Sequence, residues 1–463
     1  MNSKMKHVIF KSIAFALVLT LCFSCKPKIT APAPSKGSLD LTSYVAIGNS
    51  ITSGFADGAL SYNGQMVSYP NLIAGQLKLI NGVNLTFNQP LMPQGSIGAN
   101  IVDSANVKYT YPAPFQLGYS TDCLGVNSLG PIPVAAVGDE NAVSTNISAQ
   151  GPFNNMGVPG ARAIDVATVG YGNPANGIGN YNPFFTRMAK NQATSSMLSD
   201  AMLLNPTFFS LFIGNNDVLL YAANGGAPPA TITSQAAFNT SINTIISTLT
   251  SNGAKGVVGN IPDITALPFF TTIPWNALTL SQGLADSLNH IYWANGTPGG
   301  LYNFKAGNNG FLIKDPSAPL GQRLMKEGEL ILLDVPLNSI KCDKLGSLKP
   351  IPNQYILTAT EISNIQTAVS AFNSIIQSTA QAKSLAFVDV NAFLKQTQTG
   401  ISYDGISLNA QFVTGGAFSL DGIHLNPIGN ALLANQFIQA INNTYNSTIP
   451  QVDATKYRGI LFP

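Results

Sequence analysis

A serine and an aspartate–histidine pair in this sequence have the types and spacing that nucleophilic catalysis needs. Ser50 follows Gly48 and Asn49, directly after the apolar run of residues 43–47. Ligand sites in α/β proteins form beyond the carboxyl ends of the strands, so a serine at this place can act as a nucleophile. Asp421 precedes His424 by three residues, close enough to hold Nδ1–H and leave Nε2 free to take a proton from a serine. These residue types could supply a serine nucleophile and a histidine base, although a serine and a glycine after a strand also fit an ordinary turn.

Two further segments could bind the oxyanion that forms when a serine attacks a carbonyl. Gly160 follows a proline and ends the segment 155–160, and a glycine there lets a backbone N–H come close to a ligand. Gly157 is a rival for this role. Asn216 follows the apolar run 208–213, where its side-chain amide can donate to an oxyanion. Taken singly, each segment also fits an ordinary turn.

The remaining histidine and the cysteines do not predict a metal site. Of the three histidines, His7 lies in the N-terminal leader, and His290 has no carboxylate at the spacing that His424 has. We therefore expect His290 to be a surface or core imidazole. Two histidines and two unlinked cysteines in the rest of the chain provide no zinc-ligand spacing. We expect neither a metal nor a cofactor.

The four segments, in this order along the chain, resemble the blocks of the SGNH superfamily, also called GDSL-type esterases and lipases. The resemblance implies that Ser50 is the nucleophile, His424 the base and Asp421 the acid that orients it. It also implies an oxyanion hole made of the Ser50 and Gly160 backbone N–H groups and the Asn216 side chain. The chain looks most similar to lipoprotein members from Bacteroidota-like bacteria, in which a Gly-Asn-Ser first block also appears.

The first block departs from the family pattern at one position. Asn49 stands where the family has an aspartate. Asparagine keeps the size and an acceptor oxygen but loses the charge, so we expect changed loop electrostatics and an unchanged mechanism. The α/β-hydrolase fold is a poorer match, because its Gly-x-Ser-x-Gly elbow needs a glycine where Thr52 stands.

Apolar runs and helical periods alternate along the chain. Near-continuous apolar runs are typical of strands that are buried on both faces of a parallel sheet. The helical periods lie between them, at residues 238–249 and at 362–376, where a Thr358–Glu361 capping box precedes the second. The alternation predicts an α/β fold with a doubly wound, mostly parallel sheet, and the family resemblance implies its flavodoxin-like form. The predicted strands are residues 43–47, 208–213, 256–258 and 385–389.

Two long stretches interrupt this alternation. Residues 84–150 and 265–355 are rich in Pro, Gly or Asn, and we expect them to fold as insertions that form lids or walls around a site. We predict one SGNH-hydrolase domain over residues 40–445, followed by a tail at 446–463. Four residues are candidates for lining the site: Asn49, Asp263, Trp275 and Trp293. The tryptophans could instead form the core of the second insertion, and Asp263 could cap a loop.

The N-terminus resembles a bacterial lipoprotein signal. Lys4, Lys6 and Lys11 precede a short apolar run, which ends in Phe23-Ser24-Cys25. The run is too short to cross a bilayer as a helix, so we read residues 1–25 as a signal peptide that ends at a lipidated Cys25. Cys22 is a poorer acceptor, because the bulky Leu21 precedes it. Residues 26–39 are then a tether to the domain.

Export would place Cys123 and Cys342 in an oxidising compartment. They are far apart in sequence, so a disulfide between them and two separately buried thiols both remain open.

Composition narrows the choice of partners. The net charge is +2 and only 10% of residues are charged, with no basic stripe, so we expect no nucleic-acid partner. We expect a membrane contact through the lipid anchor in the cell envelope, facing either the periplasm or the outside. The oligomeric state is not predicted.

The sequence thus predicts an exported, lipid-anchored serine esterase that acts on an acylated glycan or a lipid. A thioesterase or peptidase with the same three residues is one alternative. A catalytically idle surface lipoprotein that binds a glycan or a partner is another, although the retention of all five catalytic-site residues argues against it.

Overall fold

A five-stranded parallel sheet forms the centre of the molecule in a computed structural model, which describes residues 33–104, 107–293 and 302–463. The predicted signal peptide with Cys25, and residues 26–32 of the predicted tether, lie outside the described residues. Pro34–Pro463 form one contact unit. In the described parts of the chain, no helix is both long and apolar enough to span a membrane.

The strands are numbered in chain order. They are β1 (Tyr44–Gly48), β2 (Val102–Ser104), β3 (Lys108–Thr110), β4 (Phe115–Thr121), β5 (Asn127–Pro133), β6 (Asn155–Gly157), β7 (Phe208–Phe212), β8 (Lys255–Gly259), β9 (Leu278–Leu280), β10 (Gly307–Asn309), β11 (Leu312–Lys314), β12 (Gln322–Leu324), β13 (Leu330–Ile331), β14 (Ile356–Leu357), β15 (Ala386–Val388), β16 (Ile401–Tyr403) and β17 (Ile406–Leu408).

The helices are α1 (Ser50–Ser53), α2 (Tyr62–Met66), α3 (Tyr69–Leu77), α4 (Glu140–Ser144), α5 (Pro183–Met188), α6 (Met197–Met202), α7 (Asn216–Ala222), α8 (Gln235–Leu249), α9 (Pro268–Thr271), α10 (Gln282–Trp293), α11 (Leu337–Cys342), α12 (Ala359–Ala382), α13 (Val390–Thr399) and α14 (Pro427–Tyr445).

The central sheet has the strand order β15-β8-β7-β1-β6, and every neighbouring pair is parallel. Counted along the chain, this is the order 2-1-3-4-5 of flavodoxin-like sheets, in which ligands bind where the order reverses. All residues of β1 and β7 are buried, as the apolar runs predict for strands covered on both faces. The sheet confirms the predicted α/β fold class.

The helices between the strands bury the residues that the helical periods indicate. In α8 the buried face includes Phe238, Ile242, Ile245 and Leu249. The Phe238 ring stacks on Phe372 of α12 with 4.0 Å between ring centroids. The predicted capping box at the start of α12 is present, with Thr358 and Glu361 as its two members.

Both predicted insertions have secondary structure. Within residues 84–150, β2 pairs with β3 and β4 pairs with β5, both as antiparallel hairpins. Residues 265–355 contain small antiparallel pairs around apolar clusters of their own.

A disulfide between Cys123 and Cys342 joins the two insertions. Cys123 lies in the turn between β4 and β5, and Cys342 ends α11. Beside them, Lys341 Nζ lies 2.7 Å from Asp122 Oδ2. Of the two states that the sequence leaves open, the structure has the paired one.

Candidate active site

Ser50, His424 and Asp421 form a chain of hydrogen bonds at the carboxyl end of the sheet. β1 ends at Gly48, and Ser50 is the first residue of α1. His424 Nε2 lies 2.8 Å from Ser50 Oγ, and His424 Nδ1 lies 2.9 Å from Asp421 Oδ2. Ser50 and His424 are each 8% exposed. The arrangement is the one in which an imidazole can take a proton from a serine while a carboxylate orients it.

Backbone N–H groups surround the carboxylate of Asp421. Ile423 and His424 both donate to Oδ1 at 2.9 Å, and Gly58 donates to Oδ2 at 2.9 Å. Burial by itself raises the pKa of Asp421, but the charge of His424 and these hydrogen bonds outweigh it and hold the pKa well below its ordinary value. Asp421 is therefore ionised at neutral pH and can stabilise an imidazolium.

Three potential oxyanion donors lie at the ends of neighbouring strands. Asn216 starts α7 just beyond β7, and its Nδ2 donates to the Ala161 carbonyl at 2.9 Å, which leaves one amide N–H for a ligand. Gly160 lies beyond β6 with φ +80°, a conformation that favours glycine. Within the described residues, the N–H groups of Ser50 and Gly160 have no protein acceptor.

Gly157, the rival of Gly160, occupies a different place. It ends β6, paired with Gly48, and its N–H donates to Asn155 Oδ1 at 2.9 Å. A Cβ there would lie 2.3 Å from the Ser53 nitrogen, so this glycine serves the close packing of α1 on the sheet.

A cavity of about 1070 Å³ opens over Ser50, His424, Asp421, Asn216 and Gly160. Its lining is mostly apolar and aromatic, and both insertions contribute to it. Wall residues from the insertions include Tyr109, Phe115, Pro131, Phe269, Leu333 and Leu337. The insertions therefore lie where walls were expected.

Three of the four predicted site-lining residues, Asn49, Asp263 and Trp275, are not among the residues that line this cavity. Asn49 is 1% exposed, caps α1 by accepting from Ile51 N–H at 3.1 Å, and borders only a small hollow behind Ser50. Asp263 binds the Thr265 N–H and hydroxyl and so caps a short turn. Trp275 packs against the apolar cluster of the second insertion. The side chain of Trp293 is outside the described residues.

Other chemically active side chains lie away from the site. His290 is on the exposed face of α10. In the described parts of the chain, no group of three or more His, Cys, Asp or Glu residues is placed to hold a metal ion.

Asp217 is a residue that the sequence reasoning missed. It follows Asn216, is fully buried, and its Oδ2 accepts the Ala163 N–H at 2.7 Å. Asn216 and Asp217 thus both bind the segment that follows Gly160. Oδ1 of Asp217 is buried and makes no hydrogen bond of normal geometry among the described residues. Burial raises the pKa of this carboxyl to about 6, although the Ala163 N–H and the nearby Thr233 hydroxyl act to lower it. Its only sequence signal was its place next to Asn216.

The Asp217→Asn variant should gain stability relative to the wild type as the pH rises from 4 to 7. The pKa of Asp217 is raised in the folded protein, so folding favours the protonated carboxyl. The contribution of this group to the free energy of unfolding is therefore complete below the ordinary pKa of 3.8 and is lost as the pH passes about 6. Asparagine keeps an acceptor for Ala163 and carries no charge. The difference should reach up to about 3 kcal/mol. Urea denaturation at several pH values measures it, and a difference independent of pH would contradict the assignment.

A comparison with sequence families gives one match. The sequence model of the GDSL-like lipase/acylhydrolase family matches residues 44–437. No curated protein matches the chain.

Three solved structures are similar to it. LAE5, an alpha/beta hydrolase enzyme from the metagenome of Lake Arreo, Spain, is 11% identical, with 87% of this chain and 95% of that chain covered and a TM-score of 0.34. The lipase/acylhydrolase from Enterococcus faecalis is 14% identical, with 64% and 77% covered and a TM-score of 0.26. The extracellular lipase from Streptomyces rimosus is 13% identical, with 87% and 99% covered and a TM-score of 0.28.

Proposed function

The chain belongs to the family of GDSL-like lipases and acylhydrolases, and on that premise we propose that it is a serine esterase that cleaves carboxylic esters. The observation that carries the proposal is the chain of hydrogen bonds at 2.8 Å and 2.9 Å from Ser50 through His424 to Asp421, at the floor of a large cavity. A nucleophile, a base and an orienting acid at these distances are the parts that acyl transfer needs.

The proposed reaction has two steps. Ser50 Oγ attacks the ester carbonyl while His424 Nε2 takes the hydroxyl proton, and the tetrahedral intermediate then expels the alcohol, which receives that proton from His424. Water attacks the acyl-enzyme in the same way, with His424 again as base, and releases the acid and free Ser50. Asp421 stays ionised and stabilises the imidazolium in both steps.

The oxyanion of each intermediate would be bound by the Ser50 and Gly160 N–H groups and the Asn216 amide. Asn216→Ala should lower kcat by about 10²–10³-fold with little change in KM, because the donor acts on charge that develops in the transition state. Kinetics with a soluble ester, together with a thermal melt, check this. Asn224→Ala is the matched control. Asn224 lies just after α7, and its side-chain amide donates to the Ala227 carbonyl. Wild-type turnover in Asn216→Ala would remove Asn216 from the scheme.

The cavity supports a substrate with a sizeable apolar group. Phe55, Phe184, Leu219 and Ile423 lie with the catalytic residues on its wall. An acyl chain can bury its methylene groups against such side chains, at about 0.8 kcal/mol each. We therefore expect longer acyl chains to be preferred over acetyl.

Hydrolysis of p-nitrophenyl esters from acetate to laurate by the full-length chain tests the proposed function. We expect turnover, with kcat/KM rising from acetate to the medium-length esters. A folded protein that hydrolysed neither these esters nor acetylated glycans would contradict the esterase and favour a binding protein.

The proposed location is the cell envelope, with a lipid anchor on Cys25. The support is the sequence pattern around Phe23, Ser24 and Cys25, which lies outside the described residues. In a bacterial host that processes lipoproteins, the wild type should incorporate labelled palmitate and Cys25→Ser should not. Equal labelling of the two would contradict the anchor.

A further inference from the structure

A turn made of Asp57 and Gly58 binds the loop that carries the catalytic acid and base. The Asp57 N–H donates to Ser419 Oγ at 3.0 Å, and Asp57 Oδ1 accepts the Leu420 N–H at 2.9 Å. The Gly58 N–H donates to Asp421 Oδ2 at 2.9 Å. These bonds attach three consecutive residues of the loop to one turn that is more than 360 positions away in sequence.

Both residues of this turn have a left-handed backbone conformation. Asp57 has φ +53° and Gly58 has φ +76°. A non-glycine residue in the left-handed region costs free energy, which persists where surrounding contacts over-determine the conformation. At Asp57 those contacts are the bonds to the catalytic loop.

The turn also contacts a wall of the cavity. The Phe115 N–H, at the start of β4, donates to the Asp57 carbonyl at 2.8 Å. A Cβ on Gly58 would lie 2.8 Å from the Phe115 ring, so the ring packs directly on the turn. Phe115 lines the cavity. The first insertion is thereby connected to the catalytic acid through Asp57 and Gly58.

Three charged groups face the partly buried Asp57 carboxylate. They are Asp421 and His424 on the catalytic loop and Arg458 in the C-terminal segment. Burial raises the pKa of Asp57, the Leu420 N–H lowers it, the charge of Asp421 raises it, and Arg458 and His424 lower it. The net effect is a raised pKa.

We infer that Asp57 is a positioning residue of the proposed esterase: its carboxylate holds the catalytic loop through the Leu420 N–H, and its backbone N–H holds the same loop through Ser419. The inference rests on the proposed function for its kinetic consequences. Asp57 acts through Asp421 and His424 and does not itself touch the reacting atoms.

Two substitutions in the full-length chain separate the hydrogen bond from the charge. Asp57→Asn keeps an acceptor for Leu420 and tolerates the left-handed backbone, but it has no charge. Asp57→Gly removes both the acceptor and the charge without a conformational penalty. Asp404→Gly is the matched control, because Asp404 is an exposed aspartate with φ +45° in the β16–β17 turn.

The kinetic measurement is kcat and KM for hydrolysis of a p-nitrophenyl ester. Asp57→Gly should lower kcat by about 10–10²-fold with little change in KM, since a small misplacement of catalytic groups has effects of this size. Asp57→Asn should stay within a few-fold of the wild type, because its amide oxygen can still accept the Leu420 N–H. Asp404→Gly should match the wild type.

An NMR spectrum of the His424 ring gives a second readout that does not depend on hydrolysis. We expect the signal of the proton between Nδ1 and Asp421 to weaken in Asp57→Gly and to persist in Asp57→Asn. If no ester were hydrolysed by the wild type, the esterase proposal would fail while this spectrum still decided the role of Asp57. Spectra and kcat values of Asp57→Gly equal to those of Asp404→Gly would overturn the inference. A raised KM with unchanged kcat would also overturn it, since that would make Asp57 a binding residue.

Discussion

Ser50→Ala should lower kcat for ester hydrolysis by about 10⁶-fold, to the level that the oxyanion hole and substrate binding alone can support. The expected loss is this large because the Ser50 hydroxyl is the group of the protein that forms a bond to the acyl carbon in the scheme. Without it, His424 can only assist a water molecule, whose position is not fixed by a covalent bond to the chain as that of the serine oxygen is. KM should change little, since the hydroxyl makes a minor contribution to substrate binding.

The measurement is steady-state hydrolysis of a p-nitrophenyl ester by variants of matched purity and thermal stability. Ser53→Ala is the appropriate control, because Ser53 lies on the same short helix and its hydroxyl donates to the Ser50 carbonyl at 2.8 Å. This variant should keep activity within about tenfold of the wild type. Substantial hydrolysis by Ser50→Ala, at a rate above contaminant level, would show that another group is the nucleophile.

Asp421→Asn should lower kcat by about 10⁴-fold, the loss that follows when the acid of such a triad becomes an amide. The amide has no negative charge to stabilise the imidazolium of His424. Its N–H₂ group also cannot accept Nδ1–H, so the imidazole is driven towards the wrong tautomer, with its proton on Nε2 facing Ser50. The backbone donors Gly58, Ile423 and His424 would lose the charged acceptor that they now surround.

Kinetics and a thermal melt of Asp421→Asn test this, beside Asp453→Asn. Asp453 also accepts a backbone hydrogen bond, together with one from the Thr455 hydroxyl, but it lies in the C-terminal segment. Asp453→Asn should turn over at the wild-type rate. A loss of less than tenfold in Asp421→Asn, in a folded protein, would mean that His424 is oriented by another group.

Local patterns were enough to predict four of the five strands of the central sheet, all except β6, and to find the candidate catalytic residues. β1 and β7 are buried on both faces, so their apolar runs are readable without knowledge of their neighbours. Ser50 and Asn216 each come just after a strand, and Asp421 lies three residues from His424. The chemistry at these positions depends on spacing within a short segment, which a sequence shows directly.

Features that depend on long-range contacts could not be predicted. The Asp57 contact with Leu420 joins positions separated by 363 residues, and the Cys123–Cys342 disulfide by 219. Nothing in the local sequence of either partner indicates the other. Asp263 and Trp275 failed as predicted lining residues for the opposite reason. Their residue types suggested that they line the substrate site. In the structure, Asp263 instead binds Thr265, and Trp275 packs against the apolar cluster of the second insertion.

The two insertions, the cavity wall and the catalytic loop are linked by direct contacts. The disulfide holds the β4–β5 hairpin to α11, and both Phe115 of the hairpin and Leu337 of the helix line the cavity. Phe115 also packs on the turn of Asp57 and Gly58, which binds the catalytic loop. The walls that would select a substrate and the groups that would act on it are therefore parts of one connected set of contacts.

Covalent trapping tests whether Ser50 is a nucleophile that His424 activates. A fluorophosphonate that mimics the tetrahedral intermediate should add once to the wild-type chain, and peptide mass spectrometry should place the adduct on Ser50. The label should be absent from Ser50→Ala, and the pH dependence of labelling should follow that of hydrolysis. If the adduct formed on another residue and blocked hydrolysis, Ser50 would not be the nucleophile. Full esterase activity in a chain that never becomes labelled would exclude Ser50 as the nucleophile as well.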